Sequence, residues 1–204
     1  ENYFHRSNIS EIRNITINYP LPEVDSTPPN VTNLAPSLNS IFEAGLLSIE
    51  VGANISDGSG IVSQAFANIT YPNSSIVLYE LSNTTGNFNR FNITFLLPQR
   101  QLGLYNVSFV ANDSINNFNR SEFANFTIVD TTKPNVTEQL PTLNFVAEFG
   151  DYLQISANAT DIVYISKGVV NITYPNSSVI PFELFNDTGY PQRFNISFEL
   201  RNLG

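Results

Sequence analysis

Asparagine offers more chemistry in this sequence than any other residue type. Of 28 Asn in 204 residues, 18 open the tripeptide Asn-x-Ser/Thr with x not Pro. They are Asn8, Asn14, Asn30, Asn54, Asn68, Asn73, Asn83, Asn92, Asn106, Asn112, Asn119, Asn125, Asn135, Asn158, Asn171, Asn176, Asn186 and Asn195. In this tripeptide the side-chain amide accepts an N-linked glycan, which is bulky and hydrated and therefore requires a surface position on an exported protein. The composition yields about five such tripeptides by chance. Twelve of the 18 have an apolar middle residue, as at Asn14, Asn68, Asn92 and Asn125. A half-buried strand written in polar residues gives that pattern by default, so low-complexity polar usage is the competing reading. Asn is nonetheless a poor strand former. The six at Asn73, Asn83, Asn112, Asn119, Asn176 and Asn186 stand in turn-rich segments where no alternation imposes them. Dense N-glycosylation is the expectation.

Aspartate is the second candidate. Asp25, Asp57, Asp113, Asp130 and Asp161 recur near what read as the ends of repeated units. Carboxylate and amide oxygens converging at one pole suit Ca²⁺, which takes ~6–8 hard oxygen ligands. The alternative is ordinary turn chemistry, in which Asp and Asn bond their own backbone. Apart from glycans and this calcium, no cofactor is expected. With no Cys there is no disulfide, thiol nucleophile or Cys-ligated zinc. One histidine, His5, leaves little for His-based metal sites or Ser-His catalysis. No nucleophile–base pair is visible, so an enzyme is not expected. A net charge of −9 argues against nucleic acid and anionic membrane surfaces as partners. No apolar run approaches the ~18 residues of a membrane span. Only Lys133 and Lys167 are present, which leaves little scope for Lys–Asn crosslinks. The absence of Met points to a processed N-terminus or one cut from a longer chain.

The elements that position these residues have a period of two. Phe91-Asn92-Ile93-Thr94-Phe95, Tyr105-Asn106-Val107-Ser108-Phe109 and Ala124-Asn125-Phe126-Thr127-Ile128 alternate strictly between apolar and polar. That is the half-buried strand pattern. It sends Phe91, Phe95, Tyr105, Phe109 and Phe126 to a core rather than to a sugar-stacking face. The chain also repeats itself. Asn68 to Ser75 returns letter for letter as Asn171 to Ser178, and Asp25 to Thr32 returns as Asp130 to Thr137, giving a module of about 105 residues. Seven strands are predicted near 30–35, 46–56, 61–71, 76–82, 90–97, 104–111 and 122–129. Seven short strands with regular turn signals in about 100 residues predict an all-β, immunoglobulin-like sandwich without helices of note.

The boundaries follow from the alignment. Residues 1–24 read as the final strand of a preceding module or as a donor strand, because Ser10 to Ile17 matches Ser121 to Ile128. Residues 25–129 form one complete module. Residues 130–204 form a second without its last two strands, since Leu203-Gly204 aligns with Leu102-Gly103.

Three motifs carry a resemblance. They are the Asp25 to Pro29 linker, the Asn54 to Gly60 turn, and Leu102 to Asp113 with Tyr105 at a tyrosine-corner position. In this order and at this period they resemble tandem Ig-like repeats of prokaryotic cell-surface proteins. In composition they are most similar to archaeal surface layers and filaments. The Cys pair and core Trp of antibody domains are absent. The resemblance implies an extracellular, cell-surface structural protein: a stalk, surface layer or pilus-like filament. An adhesin or carbohydrate-binding module is the alternative, which ligand binding or an exposed aromatic cluster would favour. The expected partners are copies of the same chain in a head-to-tail polymer, or further modules of a longer chain. For the first, Ser10, Ile12, Asn14, Ile15, Thr16 and Ile17 are the donor-strand candidates. One N-terminal segment replaces one of the two missing strands, so completion within a longer chain stays open beside completion by a neighbour.

Overall fold

The computed structural model describes residues 16–17, 24–58 and 61–200. Asn8, Ser10, Ile12, Asn14 and Ile15 lie outside them. Thr16 and Ile17 are described, belong to no strand and are exposed.

The described residues are all-β, with fifteen strands and no helix. Ten belong to the first module: β1 (Asn30–Ala35), β2 (Ser40–Glu43), β3 (Ser48–Ser56), β4 (Val62–Thr70), β5 (Ile76–Glu80), β6 (Ser82–Thr84), β7 (Asn87–Leu96), β8 (Gly103–Asp113), β9 (Phe118–Asn119) and β10 (Phe123–Val129). They make two sheets, one in the order β1-β3-β7-β6 and the other β2-β10-β8-β4-β5, with β9 beside β8. This is the immunoglobulin-like sandwich. Each predicted strand is present, but ten strands replace the expected seven. The segment predicted as 76–82 breaks at Leu81, whose N–H donates to Ala65 O at 2.8 Å, and the chain there changes sheets from β5 to β6. β2 pairs in parallel with β10, a contact between residues 86 apart in sequence (Ser40 with Phe126) that local periodicity does not register.

Alternation fills the core as the sequence predicts. Tyr105, Phe109 and Phe126 are fully buried, and Phe95 is 2% exposed. Tyr105 and Phe126 stack at 4.8 Å, with Phe95 edge-on to both. Phe91 is partly buried against this cluster. Each such side chain contributes roughly 1.5–3 kcal/mol by leaving water. The Tyr105 hydroxyl donates to Gln101 O at 2.8 Å, the tyrosine corner its position suggested.

The second module has β11 (Asn135–Leu140), β12 (Tyr152–Thr160), β13 (Gly168–Thr173), β14 (Val179–Asp187) and β15 (Tyr190–Glu199). It repeats the first in detail. The turns 71–75 and 174–178 are closed by the same bonds, Tyr71 N to Ser75 O and Tyr174 N to Ser178 O, both at 2.8 Å. Left-handed residues recur at Asn39 and Asn144 with φ of 62° and 63°. Yet the module is a single five-stranded sheet in the order β11-β12-β15-β14-β13. β14 runs unbroken through Leu184, the counterpart of Leu81. It pairs first with β13 and then with β15.

Candidate functional site

The residues that build the first core build an open cleft in the second module. Val136, Leu153, Ile155, Ala157, Val170 and Ile172 correspond to Val31, Ile49, Val51, Ala53, Ala67 and Ile69, and all six line a cleft of about 1270 Å³. Leu184, Phe194 and Phe198 complete the apolar wall. In the first module the same faces meet Tyr105, Val107, Phe109, Ala124, Phe126 and Ile128 from β8 and β10. Residues 130–204 contain no counterpart of those strands. Exposure changes accordingly: Val31 is 4% exposed and Val136 is 50% exposed.

The backbone carries the same mark. β4 lies between β8 and β5, whereas β13 pairs only with β14 among the described residues. Residues 145–148 align with β2 but form no strand, and β2 owes its pairing to β10. Among the described residues, the module therefore has an unpaired strand edge on β13, no strand at 145–148 and an apolar floor between them. Unpaired edges over apolar faces accept an added strand through main-chain hydrogen bonds. The cleft also exceeds the roughly 300–1,000 Å³ of small-molecule pockets. A polypeptide segment fits its size and chemistry better than a small ligand does.

The predicted aspartates fall into two groups. Asp25, Asp57 and Asp113 converge from the linker, the end of β3 and the end of β8, with carboxylate oxygens within 4.8 Å of one another. Hard oxygen donors in this arrangement suit a cation such as Ca²⁺. Much of their bonding is turn chemistry. Asp113 Oδ1 accepts from Ile115 N and Asn117 N, both at 2.9 Å, and Oδ2 accepts from Asn117 Nδ2 at 2.7 Å. Asp25 Oδ1 accepts from Thr27 N and Oγ1 at 3.0 and 2.6 Å. Burial and the Asp25 charge push the Asp113 carboxyl up. The bonds from Asn117 and Ile115 outweigh them and hold it below its ordinary value. Asp130 and Asp161 meet in the second module, where burial and the Asp161 carboxyl raise Asp130 against the pull of Thr132 N–H. Residues 130–204 hold no counterpart of Asp113.

The joint between modules was not legible in the sequence. Glu43 accepts from Thr131 N at 2.6 Å and Oγ1 at 3.0 Å, and from Thr132 N at 3.2 Å and Oγ1 at 3.1 Å. These bonds, led by Thr131 N–H, lower its carboxyl from the ordinary value. Val163 of the second module is buried within the core cluster of the first. A Cβ on Gly45 would come within 2.6 Å of Ile162 Cδ1. One signal was present: Gly58-Ser59-Gly60 of the first repeat gives way to Ile162-Val163-Tyr164 in the second.

The sequons are spread over both modules. Asn30, Asn73, Asn83, Asn106, Asn135, Asn171, Asn176 and Asn186 are exposed. Asn54, Asn68, Asn92, Asn119, Asn125, Asn158 and Asn195 are half-buried, and Asn112 is buried at 6% exposure.

No protein-family model matches this chain, and no curated protein matches it. Among solved structures, the chain is similar to the fibronectin(III)-like modules of CbhA from Clostridium thermocellum, at 21% identity and TM-score 0.34, covering 84% of this chain and 78% of that one. It is similar to the SrpA adhesin from Streptococcus sanguinis, at 17% identity and TM-score 0.38, covering 78% of this chain and 92% of that one. CopC from Methylosinus trichosporium OB3b shares 14% identity at TM-score 0.39, over 52% of this chain and 97% of that one.

Proposed function

We propose that this chain is a structural glycoprotein of the cell exterior, a filament, stalk or surface-layer subunit whose modules join head to tail by strand complementation. The observation that carries this reading is the open second module. Its apolar cleft is built from the positions that form a closed core in the first. An apolar surface of this extent seldom stays in contact with water unless a partner covers it.

In this reading the cleft is covered by the N-terminal segment of another copy; further modules of a longer chain are the alternative. Asn14-Ile15-Thr16-Ile17 has the pattern of Asn125-Phe126-Thr127-Ile128, with Ile15 and Ile17 in place of the inward Phe126 and Ile128. Upstream the match is looser: Ile12 aligns with the exposed Phe123, and Arg13 stands where the first module has the buried Ala124. Donation of this kind pairs unlike surfaces, does not close on itself and propagates as an open polymer. The sandwich supplies stiffness and the linker prolines Pro28, Pro29 and Pro134 restrict bending. The excess of sequons supports an exported, sugar-coated surface.

Electron microscopy of the native protein tests the proposal. Regular polymers with a repeat of one chain are expected. Discrete monomers at high concentration would contradict it.

A further inference from the structure

We propose that only one class of the sequons carries glycan. Asn73 and Asn176 at the hairpin tips lead this class, with Asn30, Asn106 and Asn135 on strands. This rests on the glycosylation reading above and concerns which amides that chemistry can reach.

The transfer sets the requirement. A bond forms between Asn Nδ2 and the anomeric carbon of a sugar held on a lipid-linked phosphate, the co-reactant. The bond from that carbon to the phosphate oxygen breaks, the lipid phosphate leaves, and one amide proton is lost. Afterwards a sugar ring occupies the space beside Nδ2. Nδ2 keeps one N–H after the transfer, so the obstacle is space: an amide held against a protein acceptor, or lying inside the sandwich, has little room for the ring beside it.

Six sequons fail on this ground. Asn83 Nδ2 donates to Phe88 O, and its counterpart Asn186 donates to Pro191 O, each tying its own hairpin loop. Asn92 Nδ2 donates to Glu50 Oε1 at 2.8 Å, within a network that includes Arg90. Asn158 Nδ2 donates to Glu138 Oε2 at 2.6 Å, and its Oδ1 accepts from Arg193. Asn119 Nδ2 donates to Pro29 O at 2.9 Å, fixing β9 against the start of the module. Asn112 is buried and sits in register between Gln64 of β4 and Phe118 of β9.

The other class meets the requirement. Asn73 Oδ1 accepts from Ser75 N at 3.0 Å and Ser75 Oγ at 2.7 Å, so the sequon serine holds the carbonyl side of the amide. Asn176 Oδ1 accepts from Ser178 N at 2.9 Å in the second repeat. Both residues are exposed, and neither Nδ2 is engaged by the described residues. Asn30, Asn106 and Asn135 are exposed on their strands. Asn106 lies directly opposite Asn125, too close for two sugars, and Asn106 is exposed where Asn125 is half-buried. The pair therefore carries its sugar on Asn106. Three equivalent pairs sort alike in the two repeats, Asn73 with Asn176, Asn83 with Asn186 and Asn30 with Asn135, which is expected if the sorting belongs to the fold.

Site-by-site glycopeptide mass spectrometry on the native protein tests this. Sugar is expected on Asn73, Asn176, Asn30, Asn106 and Asn135, with bare asparagine at Asn83, Asn92, Asn112, Asn119, Asn158 and Asn186. Sugar on Asn112, Asn119 or Asn158 with Asn73 and Asn176 bare would overturn the assignment and leave glycosylation standing. No sugar at any position would overturn both. A melting comparison adds a second readout: Asn119→Gln should lower Tm, whereas Asn73→Gln should remove sugar and leave the fold intact. Equal Tm for Asn119→Gln and the parent chain would count against the assignment.

Discussion

Tyr105 shows how one residue links sequence to stability. Its place in Leu102-Gly103-Leu104-Tyr105 suggested a tyrosine corner, and its hydroxyl bonds Gln101 O from a fully buried ring. Tyr105→Phe should cost about 1 kcal/mol in denaturant melts, the net worth of one buried hydrogen bond. Burial also raises the phenol to about 12. The neutral form is thus favoured by folding. That stability is fully present below the ordinary tyrosine value near 10 and is lost as pH rises through about 12. A phenolate absorbance titration should show Tyr105 ionising together with alkaline unfolding; ionisation near 10 in a folded chain would refute this. Asp113 behaves with the opposite sign. Its lowered carboxyl stabilises the fold above the ordinary aspartate range, and the contribution is lost as pH falls through its folded value. Asp113→Asn should flatten the acid limb of a pH–stability profile. Asp25 and Asp57 stand out in the sequence because they repeat as Asp130 and Asp161, whereas Asp113 has no counterpart in residues 130–204. Glu43 was not, because its partners lie 88 and 89 residues away and two of its bonds come from backbone N–H groups.

At the scale of elements, alternation revealed each strand that has a buried face. It missed β2, four residues long, whose parallel partner β10 lies far along the chain. It also missed the change of sheet at Leu81, which comes from packing rather than local preference. Repeats mislead in one place. Gly52 aligns with Ser156, which suggests that serine is tolerated at both. A Cβ on Gly52 would lie 2.5 Å from Phe91 O and 2.5 Å from Asn92 Cβ. Gly52→Ser should therefore destabilise the first module by about 1–3 kcal/mol, the usual cost of overpacking, read from chemical denaturation. Phe126→Ala should cost about 3–5 kcal/mol, because β10 closes the first core. The cleft was legible from the alignment as missing strands. Its unpaired β13 edge and unformed 145–148 strand were not, because they depend on what β8 and β10 do for their neighbours.

For the whole molecule, the internal joint is fixed by contacts from both modules. Glu43 holds Thr131 and Thr132, and Val163 is buried against the first module. Val163→Asp should free the two modules, seen as new protease cleavage at 130–134 and a broadened distance distribution in small-angle scattering. An unchanged scattering profile would show that the plug is not what holds the joint. The joint between copies would differ. Glu148 and Gly150 stand in place of Glu43 and Gly45, but in sequence the first repeat has Gly58-Ser59-Gly60 at the positions of Ile162, Val163 and Tyr164. The polymer should therefore alternate stiff internal joints with softer ones between copies. In the proposed polymer the N-terminal segment of one copy adds one strand to the second module of the next. Sedimentation velocity on the chain with and without residues 1–20 tests it most directly. The parent chain should form long polymers, and the shortened chain should sediment as a monomer. Polymers of unchanged size from the shortened chain would contradict it.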